Sequence, residues 1–112
     1  MTTEQQRKML ECAAKACGIE ISTWSNCQAG GFVKGESGKF WNPLTNGLDT
    51  AEMCAKLEIT CLWVSREKRV TCSAFSKQVS NVKALYKDHD NSRLKAWMYA
   101  ATMVAAKIGD LK

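Results

Sequence analysis

Residues 58–75 read "EITCLWVSREKRVTCSAF", and the way this run folds decides the class of the whole chain. Two stretches rich in β-branched and aromatic residues, Ile59–Val64 and Val70–Phe75, flank the charged tetrad Arg66-Glu67-Lys68-Arg69. Such stretches suit a pleated, half-buried surface, and the tetrad suits a turn, so the run reads as an antiparallel hairpin. With the tetrad at its tip, Trp63 is expected near Cys72 and Cys61 near Ala74 on one face.

Towards the N-terminus, "FWNPLTNGLDTAEMCAKL" at 40–57 builds a corner and then a helix. Pro43, the single proline of the chain, biases Asn42 to extended geometry and ends a strand. Thr45-Asn46-Gly47 supply turn residues. Asp49 is the expected helix N-cap, with Glu52 three residues on, and Leu48 and Met53 have the spacing of a hydrophobic staple. Cys54 and Leu57 continue the inward face, with Trp41 and Leu44 as packing residues of the corner. Before it, "FVKGESGKFW" reads as two short strands around a Gly-Glu-Ser-Gly loop, and "CQAGG" at 27–31 as a turn. "IEISTWS" at 19–25 alternates as a strand does. Thr3 and Gln6 have capping-box spacing for a first helix that buries Met9, Leu10, Ala13, Ala14 and Cys17 and ends at Gly18.

Beyond the hairpin, "KQVSNVKALYKD" at 77–88 admits a short helix carrying Val79, Val82 and Tyr86. The last helix is clear: Asn91 or Ser92 caps it, Leu94, Trp97, Met98, Ala101, Val104 and Ile108 form one stripe, and Gly109 ends it. The expected fold is α+β, a single compact domain over 1–112 in the order α-β-β-β-α-β-β-α. Its helices pack mainly on one face of an antiparallel sheet.

Composition agrees. A chain of 112 residues, 46% hydrophobic and 24% charged, is long enough to bury a core and has globular composition. No apolar run approaches the ~20 residues that span a bilayer, so no membrane association is expected. "MTTEQQRK" is polar and leads into a helix, so no signal peptide and a cytosolic chain are expected. The six cysteines, Cys12, Cys17, Cys27, Cys54, Cys61 and Cys72, are then expected as reduced, mostly buried thiols packing as small hydrophobes.

Motifs that carry chemistry fail on spacing. "GESGK" at 35–39 resembles a phosphate-binding loop, but Val33 stands where the first glycine belongs, Phe40 where Ser or Thr belongs, and no helix follows. No C-x-x-C occurs, and the one histidine, His89, lies in a polar "KDHDN" turn, so neither a metal nor a cofactor is expected. Nothing near His89 marks a nucleophile, and Asp49, Glu52 and Glu58 are accounted for by the helix. The chain is expected not to be an enzyme, with no catalytic residues.

Charge is distributed unevenly. Residues 1–65 carry six Lys or Arg against seven Asp or Glu, whereas residues 66–112 carry ten against four. The excess lies in Arg66, Lys68, Arg69, Lys77, Lys83, Lys87, Arg93 and Lys95, the candidate partner-binding set. Such a cluster serves solubility, an acidic protein surface or nucleic-acid phosphate. Neither an RRM-type aromatic signature nor a helix-turn-helix accompanies it.

Three segments together, "CAAKACGIEI", "FWNPLTNGLDTAEMCAKLEI" and "AATMVAAKIG", give the chain its family pattern. It resembles a group of small accessory proteins encoded by tailed phages and prophages of enteric and related bacteria. Trp41-Asn42-Pro43-Leu44 followed by Asp49 is the most specific element. The family's turn is usually more acidic and its helix carries Ala-Leu/Phe-Arg-Leu, so this chain is a divergent member. The resemblance brings across no catalytic residue. It implies a non-structural phage product in the cytoplasm of a bacterial host. Such a product is expected to bind a host protein or complex and to antagonise a defence system by occlusion, as anti-CRISPR proteins do. Nucleic-acid binding by the basic C-terminal half is the alternative.

Overall fold

The computed structural model describes residues 2–25, 30–36, 38–74 and 77–110, with the backbone alone at 80. The turn expected at 27–31 lies mostly outside these residues, as do Cys27, Ser37 and Phe75. Helix α1, Thr3–Cys17, opens with a capping box one residue earlier than expected: the Gln5 amide donates to the Thr2 hydroxyl, and the Thr2 amide donates to Gln5 Oε1. Its inward residues are those the periodicity named, with Ala16 added, and Gly18 closes it at φ 72°. That left-handed geometry costs glycine little.

Strands β1 (Ile21–Trp24), β2 (Gly31–Val33) and β3 (Phe40–Trp41) form a first antiparallel sheet. "GESGK" lies in the β2–β3 connection and runs into a strand, not the helix that phosphate binding needs. The corner then differs in detail from its reading. Asn46, not Asp49, caps α2 (Gly47–Leu57), its side chain accepting from the Leu48 and Asp49 amides at 2.9 and 3.3 Å. Asp49 is 7% exposed, and its carboxylate accepts from the Asn42 amide at 2.9 Å, across the corner. Thr50 donates to the Pro43 carbonyl at 2.6 Å. Leu48 is 66% exposed while Met53 is buried, so no staple forms. The corner is tied by side chains reaching backward.

The decisive hairpin is present, β4 (Thr60–Val64) pairing with β5 (Arg69–Ala74). Its register is displaced from expectation: Cys61 faces Cys72 and Trp63 faces Val70. Arg69 already belongs to the strand and pairs with Val64, so only residues 65–68 turn the chain. A shift of two residues keeps every side chain on its expected face. The 77–88 stretch is corrected from a helix to a strand, β6 (Val79–Leu85), followed by a 3-10 turn, Tyr86–His89. The element order keeps the expected sequence with this strand added, and the strands divide into two sheets rather than one.

Helix α3, Arg93–Asp110, lies against β5 and β6, and α1 packs mainly on α3. Ser92 caps it through its hydroxyl and the Lys95 amide. Leu94 leaves the expected stripe and is exposed, whereas Met98, Ala101, Val104 and Ile108 are buried. Gly109 does not end the helix. It is buried within it, and an added Cβ would fall on the Cys12 carbonyl oxygen of α1. Only glycine permits so close a crossing. Leu10, Val70, Cys72 and Val104 meet in one continuous core, which Trp41 joins. No helix among the described residues is long and apolar enough to cross a membrane.

Candidate partner-binding cleft

The second sheet runs β4-β5-β6, which leaves β6 at an edge. Cβ directions alternate along a strand. Val82, Ala84 and Tyr86 are therefore buried while Asn81, Lys83 and Leu85 are exposed. Along the far half of β6 a cleft of about 940 Å³ opens between this edge, α3 and the corner before α2. Leu44, Ala84, Met98 and Tyr99 supply apolar surface, and Arg69, Lys83, Lys95 and Asp88 charge its margin. His89 sits over the Tyr99 ring with centroids 4.7 Å apart.

Local chemistry holds two of the charged groups, Arg69 and Lys95. Arg69 donates through Nε to Glu67 at 2.7 Å and through Nη1 to the Thr71 hydroxyl at 2.6 Å. It is a clamped strand residue, not the loose turn side chain that its place in the tetrad suggests. Lys95 pairs with Asp90 at 2.8 Å. That ammonium, by hydrogen bond and charge, holds the Asp90 carboxyl below the usual range. Asp90 and Asn91 both adopt positive φ, 56° and 54°, which turns the chain tightly from the 3-10 segment into α3. Asp and Asn tolerate this conformation better than most residues. Among the described residues no ion pair engages Lys83.

The cleft gathers Arg69, Lys83 and Lys95 from the candidate set. Arg66 and Lys68 stand exposed on the 65–68 turn and Lys87 on the 86–89 turn. The two turns are joined where the Tyr86 amide donates to the Lys68 carbonyl at 2.9 Å. Arg93 is exposed at the first turn of α3. Lys77 is exposed on the β5–β6 connection, at the opposite end of the hairpin, and takes no part. Sequence reasoning missed the apolar contribution of Leu44, Met98 and Tyr99. Only Tyr99 had a signal, since its i, i+4 spacing from Lys95 places both on one side of α3.

The arrangement suits an acidic group against Lys83 with apolar surface alongside. Among the described residues no group of three His, Cys, Asp or Glu is arranged to hold a metal ion. No family model matches the chain, and no curated protein or solved structure matches it either.

Proposed function

We propose that this chain is a non-catalytic, phage-type accessory protein that binds an acidic segment of a host protein in the cleft beside β6. Its target class is a bacterial defence complex, inhibited by occlusion in the host cytoplasm. The observation that carries the binding mode is the composition of the cleft. Arg69 and Lys95 are already paired with Glu67 and Asp90, Asp88 adds a negative charge, and Leu44, Met98 and Tyr99 offer apolar contact. A continuous polyanion gains most from unpaired cations in a row. A protein segment carrying one or two carboxylates beside an apolar side chain fits this mixture better. The phage and defence context rests on the sequence resemblance.

The test is recovery of partners by the tagged protein from host lysate, with and without nuclease. The expected result is one protein complex, retained after nuclease, bound with defined stoichiometry and a shallow salt dependence. Recovery of nucleic acid alone would overturn the proposal in favour of the alternative. So would a log–log salt slope near ~0.9 per phosphate neutralised on duplex DNA.

A further inference from the structure

On the helix-covered face of the second sheet, three thiols from separate elements converge. Cys61 on β4 and Cys72 on β5 are directly opposed in the antiparallel register, with Sγ atoms 3.2 Å apart. Cys54, one turn from the end of α2, lies near enough to interact electrostatically with Cys61 as well. Trp97 of α3 completes the group, its indole N–H donating to Cys61 Sγ at 3.1 Å. Cys61 is the common acceptor. Cys72 is wholly buried, while Cys54 and Cys61 are partly exposed, so the cluster has an inner and an outer side.

We propose that Cys61 and Cys72 form a peroxide-responsive dithiol site, in which Cys61 is the reacting thiolate and Cys72 the resolving thiol. Geometry supplies both requirements. Cys61, which holds the reacting sulfur, is a partly exposed residue, and the resolving sulfur needs to close by only about 1 Å to reach the ~2.05 Å of a disulfide bond. Cross-strand neighbours in an antiparallel pair have Cα separations of ~4.5–5.5 Å, within the range that a disulfide spans. The Cys54 thiol, then the Cys72 thiol, outweigh burial and with the Trp97 N–H push Cys61 below the usual thiol range. Cys54 and Cys72 move the other way and hold their protons more tightly, since each donates toward Cys61 and each is partly desolvated.

The chemistry balances with hydrogen peroxide as the oxidant. Cys61 sulfur attacks one peroxide oxygen, the O–O bond breaks, and the departing hydroxide takes a proton to leave as water. Cys61 is then a sulfenic acid. Cys72 sulfur attacks Cys61 sulfur, the S–O bond breaks, and the second hydroxide leaves as water with the Cys72 proton. Two thiols lose two electrons and two protons, and one peroxide becomes two waters. An added dithiol reverses the change by exchange.

The folded protein is treated with hydrogen peroxide at low molar excess and mapped by mass spectrometry without reduction. The expected product has lost two hydrogens and joins the peptides holding Cys61 and Cys72, and dithiothreitol restores it. Cys72→Ser is expected to stop at a Cys61 sulfenic acid trapped by dimedone, and Cys54→Ser to slow formation of the link. Because a variant in this core can fail to fold, the unaltered protein is also alkylated with iodoacetamide at pH 6. Cys61 is expected to label at least ~tenfold faster than Cys12, because the thiolate is the nucleophile. Peroxide oxidation that leaves no Cys61–Cys72 link, or labelling in which Cys12 outpaces Cys61, would overturn the assignment.

Discussion

The two sheets of this molecule share a pattern, three antiparallel strands each, and are held by different means. In the first, strands of four, three and two residues pair around Gly30 and Gly31. An added Cβ at Gly31 would meet Ile21 Cγ2 at 2.5 Å and the Thr23 carbonyl at 2.9 Å. In the second, strands of five, six and seven residues present Val70, Cys72, Ala74, Val82 and Ala84 as a buried face. The first sheet is thus placed by individual residues, the second by repeated burial along a helix. The thiol cluster and the cleft are both built mainly on the second, whose strands are the longer ones.

If that contrast is right, the most damaging small change lies where α1 meets α3, behind the second sheet. Gly109→Ala puts a methyl group on the Cys12 carbonyl, and backbone cannot yield as a flexible side chain does. Overpacking typically costs ~1–3 kcal/mol, and this change is expected at or above the upper end. Chemical denaturation checks it, and an unchanged midpoint would mean that the helices slide apart freely.

Next comes the anchor of the first sheet. Trp41 is 3% exposed and joins the common core from a two-residue strand. Trp41→Ala is expected to cost ~3 kcal/mol or more, as large core truncations do. A melting curve unmoved by the change, with partner binding lost, would make the corner an interface and erase the contrast.

The corner sharpens the comparison further. Asp49→Ala removes a buried hydrogen bond from a backbone amide to a carboxylate, expected to cost ~2 kcal/mol. Asn46→Ala removes the α2 cap and is expected to cost ~1 kcal/mol. Urea titrations of the two variants give the order directly, and the reverse order would return the capping role to Asp49.

The sequence made some of this plain and hid the rest for definite reasons. The hairpin was readable because two β-rich runs flank one charged turn. Its register was not, because Arg69 belongs to the strand although its charge groups it with the turn. Strand β6 was concealed by an irregularity in its pairing: Cys72 pairs with Val82 but Ala74 with Val79, so two inward valines lie three apart and imitate helical spacing. Gly109 looked like a helix stop, because composition does not report the neighbour that demands a glycine. The basic residues of the cleft were visible as a charge excess. Its apolar surface was not, because Leu44, Ala84 and Met98 come from three distant segments and each looks like ordinary core.

One pair of charge reversals asks whether the cleft binds, or only the net charge. Lys83 and Lys77 are both exposed, one on β6 and the other just before it, but only Lys83 lines the cleft. Lys83→Glu and Lys77→Glu change the total charge equally, and surface changes of this kind typically move stability by only ~0.5 kcal/mol. The measurement is recovery of the host partner from nuclease-treated lysate at one ionic strength. Lys83→Glu is expected to lose the partner while Lys77→Glu retains it. Equal recovery by both variants, or equal loss, would contradict a docking site beside β6.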